Sequence, residues 1–241
     1  MNPLEWLGPN RLPATTLIVA NLAVGAITLS GQWGFYELMI VYWLEALIIG
    51  GFNVVRMGIV GLAGQPFGRW IEADWPARLV LSLMTAGFFV MKFGAFALGL
   101  GALIAMVPEF LAHEQGTTGN HIWHGINAVG KGVAIAAILL FVSHAMSFVM
   151  NFIVRGEYRN TNLLTLLFWP YVRMSLVMVT LAAGLVIAAG IPLLNTSTVF
   201  GLVIVIVKTA ADLVMHKVEH ARWGTPPPHR SSAPPGSRRP G

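Results

Sequence analysis

Apolar residues fill this chain in six long runs, each closed by a short cluster of polar, glycine or proline residues. The runs cover residues 13–31, 35–62, 78–107, 132–154, 168–190 and 193–217. About 20 apolar residues is the length of an α-helix that crosses a hydrocarbon core. The pattern therefore predicts an all-α fold, a polytopic membrane helical bundle of six transmembrane helices. The second run is over-long, which implies tilt or an extension past the membrane after Arg56. The loops carry turn chemistry: GQPFGRWIEADWP after the second run, PEFLAHEQGTTGNHIWHG after the third and RGEYRNTN after the fourth. From Gly224 the chain reads GTPPPHRSSAPPGSRRPG, rich in Pro, Ser and Arg, and is expected to be disordered. The expected domains are residues 1–223, transmembrane, and 224–241, a basic Pro-rich tail. No fixed-period repeat is visible.

Composition sharpens this reading. Of the 241 residues 56% are hydrophobic and only 10% charged, with a mean hydropathy of +0.70. A soluble domain is typically about 25% charged, so a soluble protein is excluded. The chain has no cysteine, which removes disulfides, thiolate metal sites and thiol catalysis together. The N-terminus, MNPLEWLGPNRLPATT, lacks the basic segment and small-residue cleavage site of a signal peptide, so the first span is expected to be retained.

Charge sets the orientation. Arg11 precedes the first run; Arg56, Arg69 and Arg78 surround the loop joining the second and third. Arg155, Arg159 and Arg173 surround the next alternate loop, and Lys217, Arg222, Arg230, Arg238 and Arg239 follow the last run. That places twelve of the 15 basic residues on one side and Lys131 alone on the other. Cytoplasmic loops are enriched in Lys and Arg, so six spans with both termini cytoplasmic are expected, in the inner membrane of a cell. The net charge of +5 then faces anionic inner-leaflet lipid, at about 1 kcal/mol per residue near the surface. The expected partners are the bilayer and those lipids; nucleic acid is not needed, and a homo-oligomer is left open.

Ionisable groups inside the spans are the candidate chemistry, because each costs roughly 2.5–3.5 kcal/mol on insertion scales and usually faces a partner or a cavity. Glu45 lies mid-span, with Asn53 two turns further on, and Lys92 interrupts FFVMKFGAF. His144, Ser147 and Asn151 recur on one helical face, and Lys208, Asp212, His216 and His220 are spaced four apart on the last helix. Tyr171 and Arg173 follow Pro170. With the orientation above, most of these groups fall in the cytoplasmic half, consistent with one inward-opening polar pocket of Glu45, Asn53, His144, Ser147, Asn151, Tyr171, Arg173 and Lys208. The bland alternatives are a structural ion pair of Glu45 with Lys92 or Lys208, and Ser147 and Asn151 as cement between helices.

The stretch DLVMHKVEH spells His-x-x-Glu-His. Only 21 residues follow His220 and none is acidic, so the third ligand of an inverted-motif peptidase is missing. A different metal reading survives: Asp212 and His216 share a face, and His144 would be a third ligand for a divalent ion such as zinc, iron or manganese. In the outer loop His113, Glu114, His121 and His124 are expected to be solvated, since a metal site needs rigid support.

At YWLEALIIGGFNVVRM, SHAMSFVMNFIVRGEYR, WPYVR and KTAADLVMHKVEH the chain resembles an uncharacterised prokaryotic family of polytopic membrane proteins, of the domain-of-unknown-function type. By that resemblance Trp43, Glu45, Asn53, His144, Ser147, Asn151, Gly156, Glu157, Tyr158, Pro170, Tyr171, Arg173, Asp212 and His216 occupy family positions. Ala46 stands where the family often has Asn, and the fifth span lacks the histidine the family tends to carry. The resemblance implies architecture and no activity. The leading expectation is a pocket that binds a metal ion or an anionic lipid-like ligand, with an enzyme left open. A small transporter or proton-coupled carrier with Glu45, Lys92 and Lys208 as relay groups is one alternative. A scaffold is the other, with Ala95 and Gly99, or Gly184 and Ala188, at close helix contacts.

Overall fold

The computed structural model describes residues 11–30, 35–64, 74–114, 130–190 and 197–223. Those residues fold as α-helices α1 (Arg11–Leu29), α2 (Phe35–Ala63), α3 (Trp75–Glu114), α4 (Lys131–Ser147), α5 (Leu163–Gly190) and α6 (Ser197–Trp223). Between α4 and α5 the chain continues as a π-helical segment, Phe148–Val154, and a 3₁₀ turn, Glu157–Arg159. Three helical stretches among the described residues are long and apolar enough to cross a membrane: Tyr36–Ala63, Trp75–Met106 and Gly132–Val154. The described residues form helices and no strand, and the apolar ones are those of a membrane protein.

The helices match the six apolar runs, with differences at the ends. Helix α3 continues to Glu114, into the segment expected as loop, and α6 continues to Trp223 past the expected membrane exit. Helix α5 starts five residues before the expected position because Asn162 caps it. The Asn162 side-chain oxygen accepts from the Thr165 backbone N–H at 2.7 Å, satisfying one of the free donors of the first turn. The π segment ends at Gly156, whose φ of +72° is the left-handed conformation that terminates a helix at low cost only for glycine.

Helix α2 is the hub. It packs against α3, α4, α5, α6 and the 3₁₀ turn, while α1 lies against α4 and α6. The α2–α3 contact is antiparallel and close. The Trp43 indole N–H donates to the Ala97 carbonyl at 2.7 Å, and its ring occupies the space a side chain at Gly101 would take. Further along, Gly50 meets the Phe93 ring and Gly61 meets Ser82, whose hydroxyl donates to the Met57 carbonyl at 2.6 Å. Small residues let membrane helices approach so closely. They are not the pairs expected from the sequence: Ala95 and Gly99 are exposed, and the side-chain surroundings of Gly184 and Ala188 lie outside the described residues. The core divides into two apolar clusters, one around Val41, Leu140 and Ile204 and one around Met57, Phe89 and Phe152. The charged residues lie between them along α2.

Candidate functional site

Helix α5 owes its local geometry to Pro170. A proline cannot donate to the carbonyl four residues back, here that of Leu166. That carbonyl accepts instead from the Asn53 side-chain amide of α2, at 2.9 Å. An unsatisfied carbonyl in an apolar interior costs on the order of 1–3 kcal/mol, so Asn53 both repairs α5 and fixes its register against α2. One turn beyond Pro170 this arrangement places Arg173 against the centre of the bundle.

There Glu45 of α2 and Asp212 of α6 share one lysine. Lys208 Nζ lies 2.7 Å from Glu45 Oε2 and also contacts Asp212 Oδ2, one turn along its own helix. His144 Nε2 of α4 is 3.2 Å from the other Glu45 oxygen, and Arg173 Nη2 is 3.6 Å from Asp212 Oδ1. Asn21 of α1 donates to Asp212 Oδ2 at 3.4 Å, and the Tyr42 ring lies 4.9 Å from the Lys208 ammonium. Five of the six helices thus contribute. Glu45, Lys208 and Asp212 are each no more than 3% exposed. Two carboxylates face two cations, so formal charge cancels locally with a neutral His144. That balance is what makes so much ionised surface tolerable in an apolar interior, where removing one partner would leave an uncompensated charge.

Two cavities border this cluster. The larger is walled by Met39, Trp43, Ala46, Ile49, Phe93, Leu100, Ile104, Met174 and Met178, and reaches Tyr42, Glu45, Arg173 and Asp212. The smaller is lined by Asn53, Arg56, Leu166, Trp169, Pro170 and Arg173. Arg173, Pro170 and Ile49 border both. The larger one combines a mostly apolar wall with a few charged groups at one end, the lining common in small-molecule sites.

The residues singled out in the sequence divide into four groups. Glu45, His144, Arg173, Lys208 and Asp212 meet, with Lys208 rather than Lys92 as the partner of Glu45. Asn53 lies two turns along α2 and is engaged with α5. Ser147 and Asn151 bond along the chain from the end of α4 into the π-helical segment: the Asn151 amide is 3.4 Å from the Ser147 hydroxyl, and Arg155 Nη1 donates to Asn151 Oδ1 at 2.9 Å. Tyr171 turns to α3, edge-on to Phe89 and Phe93. Glu45 and Arg173 border the larger cavity, and Asn53 and Arg173 the smaller.

Of the metal set expected from His144, Asp212 and His216, the two described side chains each face other partners. His144 Nε2 faces Glu45, and the Asp212 oxygens face Lys208, Arg173 and Asn21. The His216 side chain lies outside the described residues, as do His121, His124 and the tail from Gly224. Among the described residues no group of three or more His, Asp or Glu is arranged to hold a metal ion. The sequence reading missed Asn21 and Tyr42. The signal for Asn21 was a lone amide within LIVANLAVG, and for Tyr42 a position one turn before Glu45.

Residues 7–229 match the family of unknown function DUF6498, and the chain belongs to that family. No curated protein and no solved structure matches it.

Proposed function

We propose that this member of the family is a six-span membrane protein, with both termini cytoplasmic and residues 224–241 as a basic tail, that binds an amphipathic, lipid-like ligand with an anionic head. The observation that carries the reading is the lining of the larger cavity, apolar along its walls and charged at one end. Methionine side chains such as Met39, Met174 and Met178 adapt to a flexible chain. At the charged end Arg173 offers a planar cation suited to a carboxylate or phosphate. The Tyr42 hydroxyl, buried and with no hydrogen-bond partner among the described residues, is a further group able to meet the head. The smaller cavity carries Arg56 and continues from Arg173 toward the end of α2 that the basic residues assign to the inner leaflet.

Binding of a fluorescent lysophosphatidic acid to the detergent-purified protein, with lysophosphatidylcholine as the neutral-headed control, tests this. The acidic probe should bind more tightly, Arg173→Gln should weaken it about tenfold by removing a charged hydrogen bond, and Met178→Trp should fill the cavity and block it. Equal binding of both probes, or indifference to both variants, refutes the reading. A second reading, a proton-coupled carrier, draws on Lys208 being shared by Glu45 and Asp212. A proton delivered to one carboxylate would release the lysine to the other, and Glu45→Gln should then abolish pH-driven flux in liposomes.

A further inference from the structure

Lys92 takes no part in the cluster around Lys208. It lies on α3 in the middle of the apolar stretch Trp75–Met106, about 25 Å from one end and about 21 Å from the other at about 1.5 Å per residue. At the middle of a hydrocarbon core of about 30 Å it stands about 15 Å from either headgroup layer, more than a lysine side chain spans. Its side chain is exposed, and its recorded contact is with the Phe88 ring, 5.9 Å from the ammonium. Around it the outer face of α3 is apolar: Met84, Phe88, Met91 and Leu98 are all exposed. Helix α3 packs mainly on α2 and also on α5, and these side chains point away from both.

We infer that the Lys92 face of α3 docks a transmembrane helix of another protein that carries a carboxylate near mid-membrane. Charge complementarity selects the occupant, because an ammonium surrounded by hydrocarbon requires an anion at its own depth. A second copy of this chain does not supply one. Glu45 and Asp212 are buried and held by Lys208, His144 and Arg173, and the other acidic residues of the described α-helices, Glu37, Glu109, Glu114 and Glu219, lie toward helix ends. Ala95 and Gly99, exposed one and two turns from Lys92, leave room for the partner's backbone.

The test places the full-length protein, labelled with a fluorescent donor, in vesicles with an acceptor-labelled single-span peptide of leucine and alanine bearing one central Glu. Energy transfer should show that peptide associating at least about tenfold more tightly than its Glu→Leu counterpart. Lys92→Met should abolish the difference and Lys92→Arg should keep it. The Glu→Gln peptide gives an arm that needs no variant of the protein, and its binding should fall toward that of the leucine peptide. Equal binding of the Glu and Leu peptides, or insensitivity to Lys92→Met, overturns the inference. So does Lys92-dependent transfer between differently labelled copies of the protein, which would name the second copy as occupant, or dependence on phosphatidylglycerol, which would name lipid. None of these readouts involves the cavity at Arg173.

Discussion

The charged cluster on α2, α4, α5 and α6 and the polar ladder at the end of α4 use similar residues in opposite ways. At the cluster, Glu45 is satisfied only by side chains from two other helices, and Asp212 draws on Lys208, Arg173 and Asn21. At the ladder, Ser147, Asn151 and Arg155 bond one turn apart on the same stretch of chain. The first arrangement exists only when the bundle is assembled, whereas the second forms with the helix. Burial decides how much each matters. Lys208 and Glu45 are almost wholly buried, but Arg155 is exposed and water replaces its bond at little cost.

Three substitutions, each read by unfolding of the purified protein in mixed micelles, put that difference to the test. The largest effect is expected for Lys208→Met, which leaves Glu45 and Asp212 facing each other without their shared cation and should cost about 3–5 kcal/mol. Adding Glu45→Gln and Asp212→Asn should recover most of the loss; failure to recover would mean that packing, not charge, sets the value of the site. Next comes Asn53→Leu, which strips the Leu166 carbonyl of its donor and should cost about 1–3 kcal/mol. In a Pro170→Ala background an N–H returns to that carbonyl, so the same substitution should cost clearly less, and a double-mutant cycle measures the difference. An equal cost in both backgrounds would break the link between the proline and the amide. The smallest effect is expected for Arg155→Ala, within about 0.5 kcal/mol, as at other exposed positions. A loss comparable to that of Lys208→Met would erase the distinction between the two regions.

Much of this was legible before any coordinates. Length and polarity marked six helices, and the four-residue spacing of Lys208 and Asp212 put them on one ridge, where they touch. The cost of a buried charge required that Glu45 find a cation, although not which of two lysines. What spacing does not carry is rotation of one helix against another. Ser147 and Asn151 share a face with His144, yet His144 points to Glu45 while the other two bond along the chain. The pairing of Asn53 with Leu166 was illegible for a different reason, because the acceptor is a backbone atom and no residue type announces it. Pro170 was the available clue, since it identifies the carbonyl that loses its donor.

That pairing also bears on how the bundle can move. Beyond Pro170, α5 carries Arg173, Met174 and Met178, which form one side of the larger cavity. A rod interrupted at one joint bends there first, and the clasp across this joint belongs to α2. Widening the cavity by swinging that half of α5 would strain the clasp, so the ease of ligand entry is set by an amide on the opposite wall.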